Sequence, residues 1–334
     1  MKLNNVWVSF FTLYLLISLA SPIYAKSLPK CFFLSSYHPG YDWNAGIERG
    51  LEKVLGGRCE VKKFYMDTKR NPDVEFGRSI ALKAKAAIEQ FKPDILIAAD
   101  DNASRYLVVP HYKNASLPVV FCGINWTVAE YGYPFTNATG MVEVTPARQV
   151  IEVLEQVVNW PRRGLFISGD NYSDRKDLKG FKIEFQRRRI MLDGRFVSSM
   201  EEWKRANLEG QEYDFIILHN NTNISGWDHR EAVELQSKFK GKFTLTLNRW
   251  MMPFTMFGVF KIPDEQGEWA AEAALAILAG TKVSDIPITP NRRWDMMANE
   301  ALLERSGIEV PLMLLHESAK YLCQTDNLCP EALP

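Results

Sequence analysis

The sequence lacks the signatures by which most enzymes announce their chemistry. It has no GxGxxG or GxxxxGKS/T loop to cradle a nucleotide, no HExxH and no GxSxG elbow. Its five histidines are scattered over 38, 111, 219, 229 and 316. Cysteine is scarce, five in 334 residues, and none stands in a CxxC or zinc-finger spacing, so neither a metal nor another cofactor is expected. Charge of one sign is also missing: 40 basic residues balance 40 acidic ones, which leaves no field to hold nucleic acid. The run Arg187-Arg188-Arg189 falls in a helical stretch and reads as a solvated face. The one long apolar run is Val6 to Ala20, behind Lys2 and ahead of Ser21-Pro22-Ile23-Tyr24-Ala25. That is the pattern of a signal peptide over residues 1–25, with a retained anchor as the alternative because Ile23 is large for a cleavage site. No cysteine follows at the position a lipid anchor requires, so a soluble exported protein is expected.

What is present is a packed composition, 46% hydrophobic and 24% charged, in a chain long enough for two domains. Short apolar strands alternate with amphipathic helices from Cys31 onward, which predicts parallel sheets covered on both faces. The strand candidates are 31–36, 61–66, ILIAA at 95–99, 118–122, 164–168, 195–199, 214–218, 243–247 and 257–262. In such sheets ligands sit beyond the carboxyl ends of the strands. That rule selects Tyr37–Trp43, Asp100–Asn102, Gly123–Trp126, Gly169–Tyr172, His219–Asn221 and Asn248–Met252, with Tyr172 and Asn220 among the candidate ligand contacts. Asp100 and Asp101 begin a helix, so one of them caps it and the other is freer; Asp101 is taken as the freer one. Carboxylates at 100, 101, 143 and 170 leave a cleft hydrolase as the enzymatic alternative, disfavoured because its site would need more acidic and aromatic residues than these loops carry. The catalytic set is therefore expected to be empty.

Export permits disulfides. Cys31 opens the first strand and Cys59 precedes the second, so adjacent parallel strands bring them to one sheet edge. Cys323 and Cys329 flank a short polar segment and form a second expected bridge, which leaves Cys122 as a buried, inert thiol.

Five segments together resemble the extracytoplasmic substrate-binding proteins of ABC transporters, in the branch related to tryptophan/tyrosine-type binders. They are SSYHPGYDWNAGIERGLEKVL at 35–55, PDILIAADDNASRYL at 93–107, PVVFCGIN at 118–125, GVFKIPDEQGEWAAEAALAILAGTKVSDIPI at 258–288 and NEALLERSGIEVP at 299–311. The resemblance implies an α/β type I periplasmic-binding fold, two Rossmann-like lobes with parallel sheets joined by three crossings near 137–142, 247–256 and 286–291. The lobes would comprise 26–139 with 257–288, and 140–256 with 289–334. It also implies a ligand cleft built from Tyr37, Trp43, Asp101, Asn102, Gly123, Asn125, Glu143 and Asp170. The implied partner is an inner-membrane ABC permease, with a membrane sensor kinase or cyclase as the alternative. Asp101, Glu143 and Asp170 with no lysine in those segments favour an amine-bearing or amino acid-like ligand, its ring or aliphatic part covered by Tyr37, Trp43, Trp126 or Tyr172.

Overall fold

The structure, a computed structural model, describes residues 27–322. The expected leader and the expected Cys323–Cys329 bridge lie outside the described residues. No described helix is long and apolar enough to cross a membrane.

The first half runs β1 (Lys30–Ser35), α1 (Asp42–Leu55), β2 (Glu60–Tyr65), α2 (Val74–Phe91), β3 (Ile95–Ala99), α3 (Asp101–Ala103), β4 (Val119–Asn125) and β5 (Ala138–Glu143). α3 continues as a π-helix over Ser104–Tyr112. The second half runs α4 (Ala147–Val157), β6 (Arg163–Gly169), α5 (Tyr172–Arg187), β7 (Met191–Val197), α6 (Met200–Glu209), β8 (Phe215–Asn220), α7 (His229–Lys238), β9 (Phe243–Thr246) and β10 (Phe257–Lys261). Then come α8 (Pro263–Leu278), β11 (Thr289–Pro290), β12 (Trp294–Ala298), α9 (Glu300–Ser306), α10 (Leu312–Glu317) and β13 (Ala319–Lys320).

Local chemistry accounts for these boundaries. Asp73 caps α2 by accepting from the Phe76 amide, and Asn171 caps α5 by accepting from the Asp174 amide, each at 2.9 Å. Pro263 occupies the first turn of α8 with Asp264 and Glu265, where a missing N–H and negative charge are both favourable.

The strands form two sheets, ordered β11-β5-β4-β3-β1-β2 and β13-β12-β10-β9-β8-β6-β7. Every pairing in the first sheet is parallel. In the second, β10 and β12 pair antiparallel while the rest are parallel. β1 shows why both faces are covered: Phe32 and Leu34 join one core with Ala81, Ala84 and Leu107, while Cys31 and Phe33 join another with Ile47, Leu51 and Ala270. The second sheet is likewise packed on both sides.

The expected division of the chain needs correction at β10. That strand is hydrogen-bonded to β9 and β12, so residues 257–261 belong to the second sheet, and the chain re-enters the first lobe at Ile262. Leu247–Met256, expected to cross between lobes, instead links neighbouring strands β9 and β10 through the 3-10 turn Arg249–Phe254, whose last four residues are buried. Residues 137–142, expected to form the first crossing with lobe 1 ending at 139, instead hold β5 of the first sheet, so the first crossing follows Glu143; the third runs from β11 in the first sheet to β12 in the second.

Cys31 and Cys59 are disulfide-bonded, with Cα atoms 6.1 Å apart, at the expected sheet edge. Cys122 is a free, fully buried thiol; burial, then Asp100 and Glu143, push its ionisation far up, so it is inert.

α8 is held on the first lobe by backbone contact with α1. A Cβ on Gly267 would lie 2.0 Å from the Ile47 carbonyl oxygen, and one on Gly50 would lie 2.2 Å from that of Asp264. Gly267→Ala must therefore part the two helices. We expect it to lower stability by about 1–3 kcal/mol, the scale of overpacking, read as a lower urea midpoint at unchanged slope.

Candidate functional site

Parallel strands deliver their last residues to one edge, and here two such edges face each other. From the first lobe come Tyr37 after β1, Asp100 and Asp101 after β3, Asn125 at the end of β4 and Glu143 at the end of β5. From the second come His219 and Asn220 at the end of β8, Asn248 after β9 and Lys261 at the end of β10, with Asp174 and Asp177 from α5. Between them lies a cleft of about 1260 Å³.

Most of its carboxylates are matched to a cation from the opposite lobe or from their own. Asp101 accepts from Tyr131 Oη at 2.6 Å and Asn125 Nδ2 at 2.8 Å, and Lys176 Nζ of α5 lies 3.2 Å away. Glu143 is paired with Lys261, whose ammonium also lies 5.2 Å from the Trp43 ring centre. Burial pushes the Glu143 carboxyl up against the pull of Lys261. Burial works against the Lys261 ammonium, but Glu143 and Asp177 hold its pKa above the usual lysine value. Asp177 accepts from Trp126 Nε1 and Thr145 Oγ1, both at 2.7 Å, and its other oxygen is 3.2 Å from His219 Nε2. Burial would raise the Asp177 carboxyl, yet Lys261 and His219 bring it well below the usual range.

Asp100 is different. It is buried, caps α3 by accepting from the Asp101 amide at 2.6 Å, and is hydrogen-bonded to Tyr37. It makes no ion pair among the described residues. Burial, then the charges of Asp101 and Glu143, push its carboxyl up to about 7. Its backbone, at φ 81 and ψ 166, occupies a region natural only to glycine.

Asp174, Asp177 and His219 bring their ligand atoms within 4.8 Å of one another, which is the spacing a metal would need. Burial acts against the His219 imidazolium, but the two carboxylates outweigh it and hold it up to about 9. A divalent cation would have to displace that proton and sit near the Lys261 ammonium. With the His219 imidazolium between the two carboxylates, the cluster forms an ion triad.

Of the residues selected from sequence, Tyr37, Trp43, Asp101, Asn102, Asn125, Glu143 and Asn220 stand on the cleft wall. Gly123 lies behind it, donating its amide to Gln266 Oε1 at 2.9 Å. Asp170 turns away: its side chain is 48% exposed and is bonded by both oxygens to Arg175. Just before it, Gly169 packs tightly on the loop after β8, where a Cβ would lie 1.8 Å from the Thr222 carbonyl oxygen, and the chain leaves this contact with Asp170 facing outward. Tyr172 opens α5. Trp126, expected to cover the ligand, is half-buried and packs against the second-lobe core instead. Asp101, taken as the freer acid, is the more fully bonded of its pair. Lys261 was overlooked although it ends a strand and so satisfies the selecting rule. Lys176 and Asp177 sit in the charged stretch SDRKDLKG, which carries no sign in sequence of facing a cleft.

Two predominantly parallel sheets, joined by three crossings and facing across a polar cleft, define a type I periplasmic-binding fold. The ABC transporter substrate-binding protein family matches residues 38–322, and the chain belongs to it. It is a solute-binding protein that serves an ABC permease, not an enzyme. Among solved structures, it resembles an ABC domain from Streptococcus pneumonia in complex with L-Trp (TM-score 0.60, 16% identity, 88% of this chain and 100% of that one). It also resembles a ligand-free, open substrate-binding protein with adhesive properties from Clostridium difficile (TM-score 0.67, 14% identity, 89% and 100%). A periplasmic ribose ABC transporter protein from Conexibacter woesei matches with TM-score 0.55 at 13% identity over 84% and 97%. These likenesses concern the fold. No curated protein matches the chain.

The His219 triad carries a pH signature. Its folded pKa exceeds the unfolded value of about 6.5, so its stabilisation is complete below pH 6.5 and is lost as pH rises through about 9. Urea titrations should show stability falling by about 2–3 kcal/mol across that window, and His219→Gln should flatten the fall.

Proposed function

We propose that the cleft captures a small amine-bearing, amino acid-like solute, with its ammonium received by Asp100, and hands it to the permease. One observation carries this reading: Asp100 is the buried cleft carboxyl with no ion pair among the described residues, while Asp101, Glu143 and Asp177 have theirs. An isolated buried carboxyl tends to hold a proton, and an arriving ammonium replaces that proton with a permanent partner. Tyr37, Tyr41 and Trp43 line the same side and offer flat walls to the apolar part of such a solute. Arg249 and Lys261 are already paired with Asp295 and Glu143, so neither is free to receive an anion. A neutral sugar would leave Asp100 holding its proton and so would draw nothing from the isolation of that carboxyl. We place the protein, acting as a monomer, in the periplasm; the Cys31–Cys59 bridge supports an oxidising compartment.

A thermal-shift screen over amino acids, polyamines, nucleobases, sugars and oxyanions, run after partial unfolding to strip carried solute, tests the reading. Amines should raise the midpoint. Asp100→Asn should weaken them by roughly 1.5–3 kcal/mol, the scale of a charge-assisted hydrogen bond. Affinity in the native protein should rise with pH up to about 7, where Asp100 ionises, and then level off. A screen in which only sugars or oxyanions respond, with Asp100→Asn indifferent, overturns the assignment.

A further inference from the structure

Trp126 is a first-lobe residue whose side chain is not housed in the first lobe. It follows β4 in a left-handed backbone conformation, φ 60, which a non-glycine residue seldom adopts. Its amide donates to the Glu143 carbonyl at 2.8 Å, at the start of the first crossing. The indole therefore reaches over the seam to α5. There it lies so close to Gly180 that a Cβ on that residue would meet ring atoms at 2.3–2.5 Å. It packs edge-on to Phe181, with ring centres 6.2 Å apart, and joins the second-lobe core. Its N–H ends on Asp177 Oδ1 at 2.7 Å, the oxygen that also accepts from Thr145 in the crossing. The other Asp177 oxygen faces His219 of β8, so one carboxylate joins a first-lobe loop, a crossing and the second sheet. Beside it, Lys176 reaches back to Asp101.

We infer that Trp126, seated on Gly180 and tethered to Asp177, is the pivot between the lobes and sets the angle at which the empty cleft rests. Trp126 does not line the cleft, so it acts on solute binding only by positioning the two walls. Rotation of one lobe on the other must roll this ring on its glycine seat or break its N–H bond. A bistable hinge of this kind fixes how much binding free energy is consumed in closing. The inference does not depend on which solute binds.

The test uses no ligand. Spin labels on Glu75→Cys in α2 and Glu201→Cys in α6, both well-exposed positions on opposite lobes, report the interlobe distance. The native protein should give one narrow distribution. Gly180→Ala, which pushes the indole off its seat, and Trp126→Ala, which removes it, should each displace and broaden that distribution. Trp126→Phe keeps a ring but no N–H, and should leave the mean close to native while broadening the spread. Phe243→Leu, in the second-lobe core on β9 with Phe257 as its ring neighbour, should lower the melting temperature without moving the distance; this separates a pivot from a merely structural role. If Trp126→Ala fails to fold, Gly180→Ala and Trp126→Phe decide the matter. Native distributions in folded Gly180→Ala and Trp126→Phe would overturn the inference.

Discussion

The constraint that organises this molecule is the cost of gathering carboxylates where two predominantly parallel sheets meet. A buried carboxylate must find a cation or hold a proton, because its solvation by water is gone. Asp101, Glu143, Asp174 and Asp177 all find cations: Lys176, Lys261 and His219. Two of these pairings, Lys176 with Asp101 and Lys261 with Glu143, join groups from different lobes. Electrostatic matching is thus also what ties the lobes together at the cleft floor. Breaking one partner of such a pair leaves a buried charge alone, which is far more costly than losing an exposed ion pair. Asp100 stands outside the scheme, and the proposed reading of the cleft rests on that exception.

The fold makes this arrangement possible because strand ends, not loops of free length, set the positions. Tyr37, Asp100, Asn125 and Glu143 are fixed by neighbouring strands of one sheet, and His219 and Lys261 by strands of the other. Regularly spaced strands then space the charges. The strain in Asp100, whose backbone suits glycine, fits a position kept for its side chain rather than for its conformation. α5 completes the floor from the second lobe, and its residues Lys176, Asp177 and Gly180, like Lys261, touch the first lobe.

Much of the fold was legible because the apolar strands are short, continuous and bounded by turn residues, as at ILIAA between Pro93-Asp94 and Asp100. The Cys31–Cys59 bridge followed from the same strand adjacency. β10 was misplaced because a strand's sheet is chosen by pairing, and nothing in FGVFK records whether β9 or a first-lobe strand will be its neighbour. At the cleft, the rule of strand ends found seven wall residues but misjudged how they are used. Asp100 looked like a cap, and it is one; sequence cannot show that the same carboxyl is also buried without a cation. Asp170 satisfied the rule and yet turns outward as the chain leaves the packing of Gly169 against the Thr222 loop, which is a long-range contact. Trp126 looked like a ligand wall, and only the position of Gly180 in three dimensions shows where its ring goes.

The central claim is that Asp100 exchanges its proton for the ammonium of a solute. Isothermal titration calorimetry of the amine found by screening, at pH 6.5 in two buffers of different ionisation enthalpy, measures that exchange directly. With the carboxyl poised near pH 7, binding to the native protein should release a substantial fraction of one proton, and binding to Asp100→Asn should release none. Equal heats in the two buffers for the native protein, or the same proton release from Asp100→Asn, would contradict the account.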